Sequence, residues 1–142
     1  MTAFRVFCAA LTLAVCFAAQ ADALTTLNDA ALFERVQKQV AGLPRAELEA
    51  LATAVTTCSA VSIGQRQQQF ECERGINLWW VHYNRGRDLD NYMAALGALF
   101  TAFDNNALNP SADMMSTYRH AANSMLGLSR SINERFRQID KS

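Results

Sequence analysis

The chain has 142 residues, of which 51% are hydrophobic, and its 13 basic and 13 acidic side chains give a formal net charge of zero. This length suits a single domain, and the hydrophobic fraction is too high for a disordered chain. The balanced charge creates no overall field that would attract nucleic acid or an acidic membrane surface.

The N-terminus has the pattern of a secretory signal peptide. Residues 1–5 carry a positive charge, residues 6–19 are apolar, and two overlapping small-x-small sites follow, Ala19-Gln20-Ala21 and Ala21-Asp22-Ala23. The apolar run of fourteen residues is shorter than the roughly 20 residues that a membrane-spanning helix needs.

We therefore predict a signal peptide over residues 1–23 and one all-helical domain over residues 24–142, with no stable membrane span after cleavage. The expected location is the periplasm or the exterior of the cell. Two alternatives stay open: the apolar segment remains as an uncleaved anchor, or Cys16 carries a lipid in a lipobox-like sequence.

The cysteines predict one disulfide. Cleavage of the signal peptide would remove Cys8 and Cys16, leaving Cys58 and Cys72 in an oxidising compartment. A bridge between them would contribute about 3 kcal/mol in the chain-entropy model. The chain has no Cys-x-x-Cys motif for redox exchange or zinc and no Cys-x-x-Cys-His motif for haem.

Capping and turn residues divide the rest of the chain into helices. Thr26-Leu27-Asn28-Asp29 resembles a helix start, and Gly42-Leu43-Pro44 combines a stop with a new start. Asp88 is a good N-cap after the turn Arg85-Gly86-Arg87. The fold class that we predict is an all-α bundle of four to five helices, with helices near 29–41, 44–58, 72–85, 89–107 and 111–140. Gly86 ends the third helix through the C-cap chemistry of Asn84-Arg85-Gly86, and residues 65–69 either extend its start or form a loop.

Two of these helices have unusual features. The helix over residues 89–107 is apolar on two faces, so we expect it to be covered on both sides by intrachain neighbours or by self-association with a second subunit. A helix over residues 111–140 would span about 45 Å, which is long for a small bundle. Either Gly127 interrupts it, or its end projects and packs against something else.

The segment from Cys72 to Asp88 contains both tryptophans and is the centre of the functional prediction. On a helix, Cys72, Gly75, Ile76, Trp79 and Tyr83 share one stripe, and a plausible role of Gly75 is close approach of another helix. The aromatic residues form either an ordinary core or an exposed recognition surface. The candidate binding surface comprises Trp79, Trp80, His82, Tyr83, Arg85, Arg87 and Asp88.

We find no sequence motif for catalysis, for a cofactor or for a metal site. The preferred interpretation is an exported, non-enzymatic module that binds another envelope or secreted protein, such as an inhibitor, an immunity protein or a subunit of an envelope complex. One alternative is a carrier of haem or an apolar ligand, with Met114, Met115, Met125 and the tryptophans lining the space. A second is a small hydrolase that uses His82 with a carboxylate.

Overall fold

The computed structural model describes residues 22–62, 64–101 and 112–142, and in these ranges the chain forms six helices and no strand. They are α1 (22–28), α2 (Ala30–Ala41), α3 (Arg45–Ser59), α4 (Arg66–Tyr83), α5 (Asp88–Thr101) and α6 (Ala112–Lys141). The all-helical prediction is confirmed, but four to five helices was too few, because residues 22–28 form an additional helix. Residues 1–21 of the predicted signal peptide lie outside the described residues.

The helix boundaries follow from local capping chemistry. Asp29, and not Thr26, is the N-cap of α2, because its carboxylate accepts a hydrogen bond from the Leu32 amide at 3.1 Å. Gly42 caps the end of α2, and Pro44 occupies the N-cap position of α3. The Gly42-Leu43-Pro44 junction therefore separates two helices as predicted.

Helices α3 and α4 are joined covalently as well as by packing. The Sγ atoms of Cys58 and Cys72 lie 2.09 Å apart, at disulfide distance, and both residues are fully buried. Gly75 follows one turn later on α4, and a Cβ atom built there would lie 3.6 Å from the Ala54 Cα. The predicted close approach at Gly75 is thus confirmed, with α3 as the neighbouring helix.

Helix α5 lies at the centre of the bundle and packs against α2, α4 and α6. This arrangement accounts for most of its two apolar faces, since Leu89, Tyr92, Met93, Leu96 and Leu99 are all nearly inaccessible to solvent. Ala94 and Ala98 remain partly or fully exposed along one edge. Neighbours within the chain therefore cover most of α5, and residues 102–107 of the predicted helix lie outside the described residues.

Helix α6 is continuous over 30 residues, so the two alternatives proposed for it were wrong. Gly127 does not interrupt it; the glycine instead makes room for the Phe33 ring, whose Cζ lies 3.1 Å from an ideal Cβ. The end of α6 does not project away, because Arg135 Nε donates to the Leu43 carbonyl at 3.0 Å. The final turns thus pack on the α2–α3 junction of the same chain.

None of the helices in the described ranges is long and apolar enough to cross a membrane.

Candidate functional site

The two tryptophans of α4 have different environments. Trp79 is 2% exposed and belongs to the hydrophobic core, whereas its neighbour Trp80 is half-buried at the edge between α4 and α5. Successive residues on a helix point about 100° apart, which places the two rings on different faces. Trp79 therefore has a packing role, and Trp80 is the tryptophan available to a partner.

Arg87 also belongs to the interior. Its guanidinium donates to Glu47, to the Tyr83 carbonyl at 2.9 Å and to Asp90 at 3.3 Å. Glu47 and Asp90 are among the buried charged residues, and Asp90 is wholly inaccessible to solvent. Arg87 thus connects α3, the end of α4 and the start of α5 in one ion-pair cluster, which we call the Arg87 cluster (Glu47, Arg87 and Asp90).

Asp90 holds the turn between α4 and α5 in place. Its carboxylate accepts hydrogen bonds from the backbone amides of Arg85 at 2.9 Å and Arg87 at 2.8 Å. The second bond is the reverse half of a capping box, in which an acidic residue in the first turn bonds back to the N-cap amide. Sequence analysis assigned the cap to Asp88, but Asp90 is the residue that closes the turn.

The environment of Arg87 favours its charged form. Burial by itself would lower the pKa of the guanidinium, but hydrogen bonds to Glu47 and Asp90 outweigh burial and raise the pKa above its ordinary value. The guanidinium also lies 5.9 Å from the Trp79 ring centroid, within the range of a cation–π contact. Arg87 is therefore a permanently charged structural residue.

Asp88 is paired with α2. Its carboxylate accepts from Arg35 Nε at 3.0 Å and from Gln39 Nε2 at 3.4 Å, while the Gln39 amide oxygen accepts from the Leu89 backbone at 2.8 Å. Half of the Arg35 side chain is exposed, so this ion pair orients α5 on α2 and adds little stability.

His82 lies exposed near the end of α4, with its ring 6.2 Å from that of Tyr83. Asp88 and Asp90, the carboxylates that follow His82 across the next turn, are bound to other residues, Asp88 to Arg35 and Asp90 to Arg87. No group of three or more potential metal ligands occurs among the residues that the structure describes.

The residues suggested for a carrier likewise pack as ordinary core or half-buried side chains. Met125 is 3% exposed in the core, and Met114 and Met115 are half-buried on α6.

The outward side of α4 carries an apolar strip. Among the described residues, the large hydrophobic side chains that are most exposed are Phe70 (57%), Leu78 (53%), Val81 (77%) and Leu126 (52%). The first three share α4, and their spacing of eight and eleven residues places them within a sector of about 80°. We call this set, Phe70, Leu78 and Val81, the outer strip of α4. The opposite side of the same helix buries Cys72, Ile76 and Trp79.

Two shallow clefts adjoin the outer strip. One, of about 360 Å³, lies along the strip itself and is also lined by Glu73, Arg74 and Asn77. The other, of about 280 Å³, lies between α4 and α5 and is lined by Ile76, Trp80, Ala94, Gly97 and Ala98 together with Glu73 and Asn77. Because Glu73 and Asn77 border both clefts, the two form one continuous surface.

The structure therefore divides the predicted binding surface. Trp80, His82, Tyr83 and Arg85 are exposed or half-buried, whereas Trp79 is core and Arg87 and Asp88 are engaged in intrachain ion pairs. The predicted binding surface included none of Phe70, Leu78 and Val81. The signal that identifies them is the eleven-residue spacing of Phe70 and Val81, which returns to nearly the same side of the helix.

Comparison with known proteins identifies no relative: no family model, no curated protein and no solved structure matches the chain.

Proposed function

We propose that the protein is an exported, non-enzymatic binding module that docks another envelope or secreted protein on the outer strip of α4 and the adjoining α4–α5 cleft. The observation that carries this proposal is that α4 is apolar on two opposite sides, only one of which its own bundle buries. Singly scattered surface hydrophobics are normal, but a contiguous exposed patch typically marks an interaction site.

The surface has the composition of a helix-in-groove site. Phe70, Leu78 and Val81 supply apolar area, and half-buried Trp80 adds an aromatic anchor at the edge of the α4–α5 cleft. Ala94 and Ala98 line the α5 side of that cleft, and their small side chains leave the cleft open to a partner. A partner that presents one amphipathic helix would bury these side chains with anchors three, four or seven residues apart.

Polar residues between the apolar ones would set the orientation of the partner. Glu73, Arg74 and Asn77 line the cleft along the strip, and the Arg74–Glu71 ion pair spans 4.0 Å, so it is weak. The Arg74 guanidinium is thus available to a carboxylate on the partner. Electrostatic complementarity of this kind contributes more to specificity than to affinity.

Site-specific photocrosslinking in the envelope of the native host tests this proposal. A photoreactive residue at Val81 should yield one discrete heterologous product, whereas the same residue at Leu126 should not. Leu126 is the control because it is a large hydrophobic residue on α6 that is also exposed, at 52% against 77% for Val81. A product of twice the monomer mass would instead show self-association, and identical patterns at both positions would contradict the assignment of the surface.

Charge introduction gives a second test. The double substitution Phe70→Glu and Val81→Glu should abolish the crosslinked product formed from a photoreactive residue at Leu78. The thermal midpoint should change little, because exposed substitutions generally alter stability by no more than about 0.5 kcal/mol. Leu126→Glu, the control, should leave the product intact.

A further inference from the structure

Two overlapping cleavage motifs lie near the N-terminus, and they would produce exported chains that begin at different residues. Ala19-Gln20-Ala21 directs cleavage after Ala21, and Ala21-Asp22-Ala23 directs it after Ala23. Both present alanine at the two positions that a signal peptidase recognises, so the motifs alone do not separate them, and the predicted signal peptide over residues 1–23 corresponds to the second.

The two cleavage products differ by Asp22 and Ala23, and both residues make contacts in the folded domain. Ala23 is 5% exposed and is part of the hydrophobic core, and Leu27 follows one turn later at 7%. The Asp22 carbonyl accepts a hydrogen bond from Thr26 Oγ1 at 2.9 Å. Asp22 and Ala23 also line a cleft of about 410 Å³ between α1 and α5. Both residues therefore belong to the folded domain.

Cleavage after Ala23 would place a new α-amino group on Leu24, which packs against the core. An α-amino group has a pKa near 8 and is largely protonated at neutral pH, so a charge would be placed on partly buried Leu24, beside the core that it contacts. The cut would also remove the Asp22 acceptor and leave residues 24–28, barely more than one helical turn.

Cleavage after Ala21 avoids each of these costs. The new amino group would belong to Asp22, which is exposed, and the Asp22 carboxylate would offset its positive charge. An acidic side chain in the first turn is also the favourable charge for the N-terminus of a helix such as α1.

We infer that the signal peptide is removed between Ala21 and Asp22, so that the exported protein begins at Asp22. This inference rests on the export that the proposed function includes, and it adds the processing site that keeps Asp22 and Ala23 in the folded domain.

Intact mass and N-terminal sequencing of the protein exported by a Gram-negative host from the full-length gene test it. A chain that begins at Asp22 is expected. A chain that begins at Leu24, or at any other cleaved position, would overturn the site while leaving export in place. A secreted chain that retains Met1 would overturn both the site and the cleaved-signal interpretation.

A matched pair of variants separates the two motifs without depending on the fold, because precursor and processed chain are distinguished by mass in denatured samples. Ala19→Phe alters only the first motif and should abolish the chain that begins at Asp22, leaving precursor or a chain cut at the second motif. Ala23→Phe alters only the second and should be processed as efficiently as the unchanged chain. Ala21 belongs to both motifs and is not informative. Normal processing of Ala19→Phe combined with loss of processing in Ala23→Phe would overturn the inference.

Discussion

The Arg87 guanidinium lies 5.9 Å from the centroid of the Trp79 ring, so the residue that immediately precedes α5 is held against the buried tryptophan of α4. Trp79 Nε1 and Arg87 Nε are both buried and have no hydrogen-bond partner in the described part of the chain. The pair is therefore held together by the ring face and by the carboxylates of Glu47 and Asp90, which bind the other end of the guanidinium.

Removal of the Arg87 charge should destabilise the domain strongly. Arg87→Met leaves the buried carboxylates of Glu47 and Asp90 without a counter-ion, and the expected loss is about 3 kcal/mol. Urea denaturation measures it as a lower midpoint. Arg85→Met is the matched control, because Arg85 is exposed and should shift stability by no more than about 0.5 kcal/mol. Equal losses for both variants would show that the Arg87 cluster has no special role.

The Cys58–Cys72 bridge should be inaccessible in the native state. Both residues are fully buried, so an alkylating reagent should add no mass to the folded protein and two adducts after denaturation and reduction. Replacement of both cysteines by alanine should lower the free energy of unfolding by about 3 kcal/mol. Free alkylation of protein from an oxidising compartment would exclude the bridge.

Gly75 should tolerate one methyl group but not a larger side chain. In Gly75→Ala, the new Cβ meets the Ala54 Cα at an ordinary contact distance of 3.6 Å, and the gain in helix propensity is about 1 kcal/mol. A higher thermal midpoint is expected. Gly75→Leu would reach the α3 backbone and should cost roughly 1–3 kcal/mol. A stable Gly75→Leu variant would contradict the close approach of α3 and α4.

Stability should fall at alkaline pH because of Tyr92. Burial raises the pKa of its phenol above the ordinary value of 10.0, and a side-chain hydrogen bond with Ser124 only partly offsets burial. Above pH 10 the unfolded state releases this proton while the folded state retains it, so stability is complete below pH 10 and decreases as the pH rises further.

Tyr92→Phe separates this effect from other alkaline damage. The long 3.4 Å hydrogen bond to Ser124 contributes little, so the variant should resemble the unchanged protein at pH 7. Its urea midpoint should decline less between pH 9 and about pH 11. Parallel declines in both proteins would show that Tyr92 is not the group responsible.

Much of the fold could be predicted because its boundaries depend on local chemistry. Gly42 and Pro44 separate α2 from α3 through backbone preferences that need no tertiary information. The disulfide could be predicted in the same way, because cleavage of the predicted signal peptide would leave only Cys58 and Cys72. Helix α1 was missed because residues 22 and 23 were assigned to the signal peptide.

The candidate site was harder to predict because a helical wheel shows which side of a helix a residue occupies but not which residues of other helices contact it. It groups Trp79 with Tyr83, but it does not reveal that Glu47, 40 residues away, supplies the counter-ion of Arg87. The same limit explains α5, whose two apolar faces are covered mostly by helices of its own chain. Phe70 was overlooked because the polar residues 65–69 fit either helix or loop, so the helical stripe was drawn only from Cys72 onward.

The position of α6 determines when the domain can complete its fold during synthesis. This helix covers α2, α3 and α5, and its last turns bind the Leu43 carbonyl and, through Asp140, Arg45. Until α6 has emerged from the ribosome, the apolar sides of α2, α3 and α5 that it contacts remain exposed. The nascent chain therefore stays incompletely folded until α6 has been synthesised.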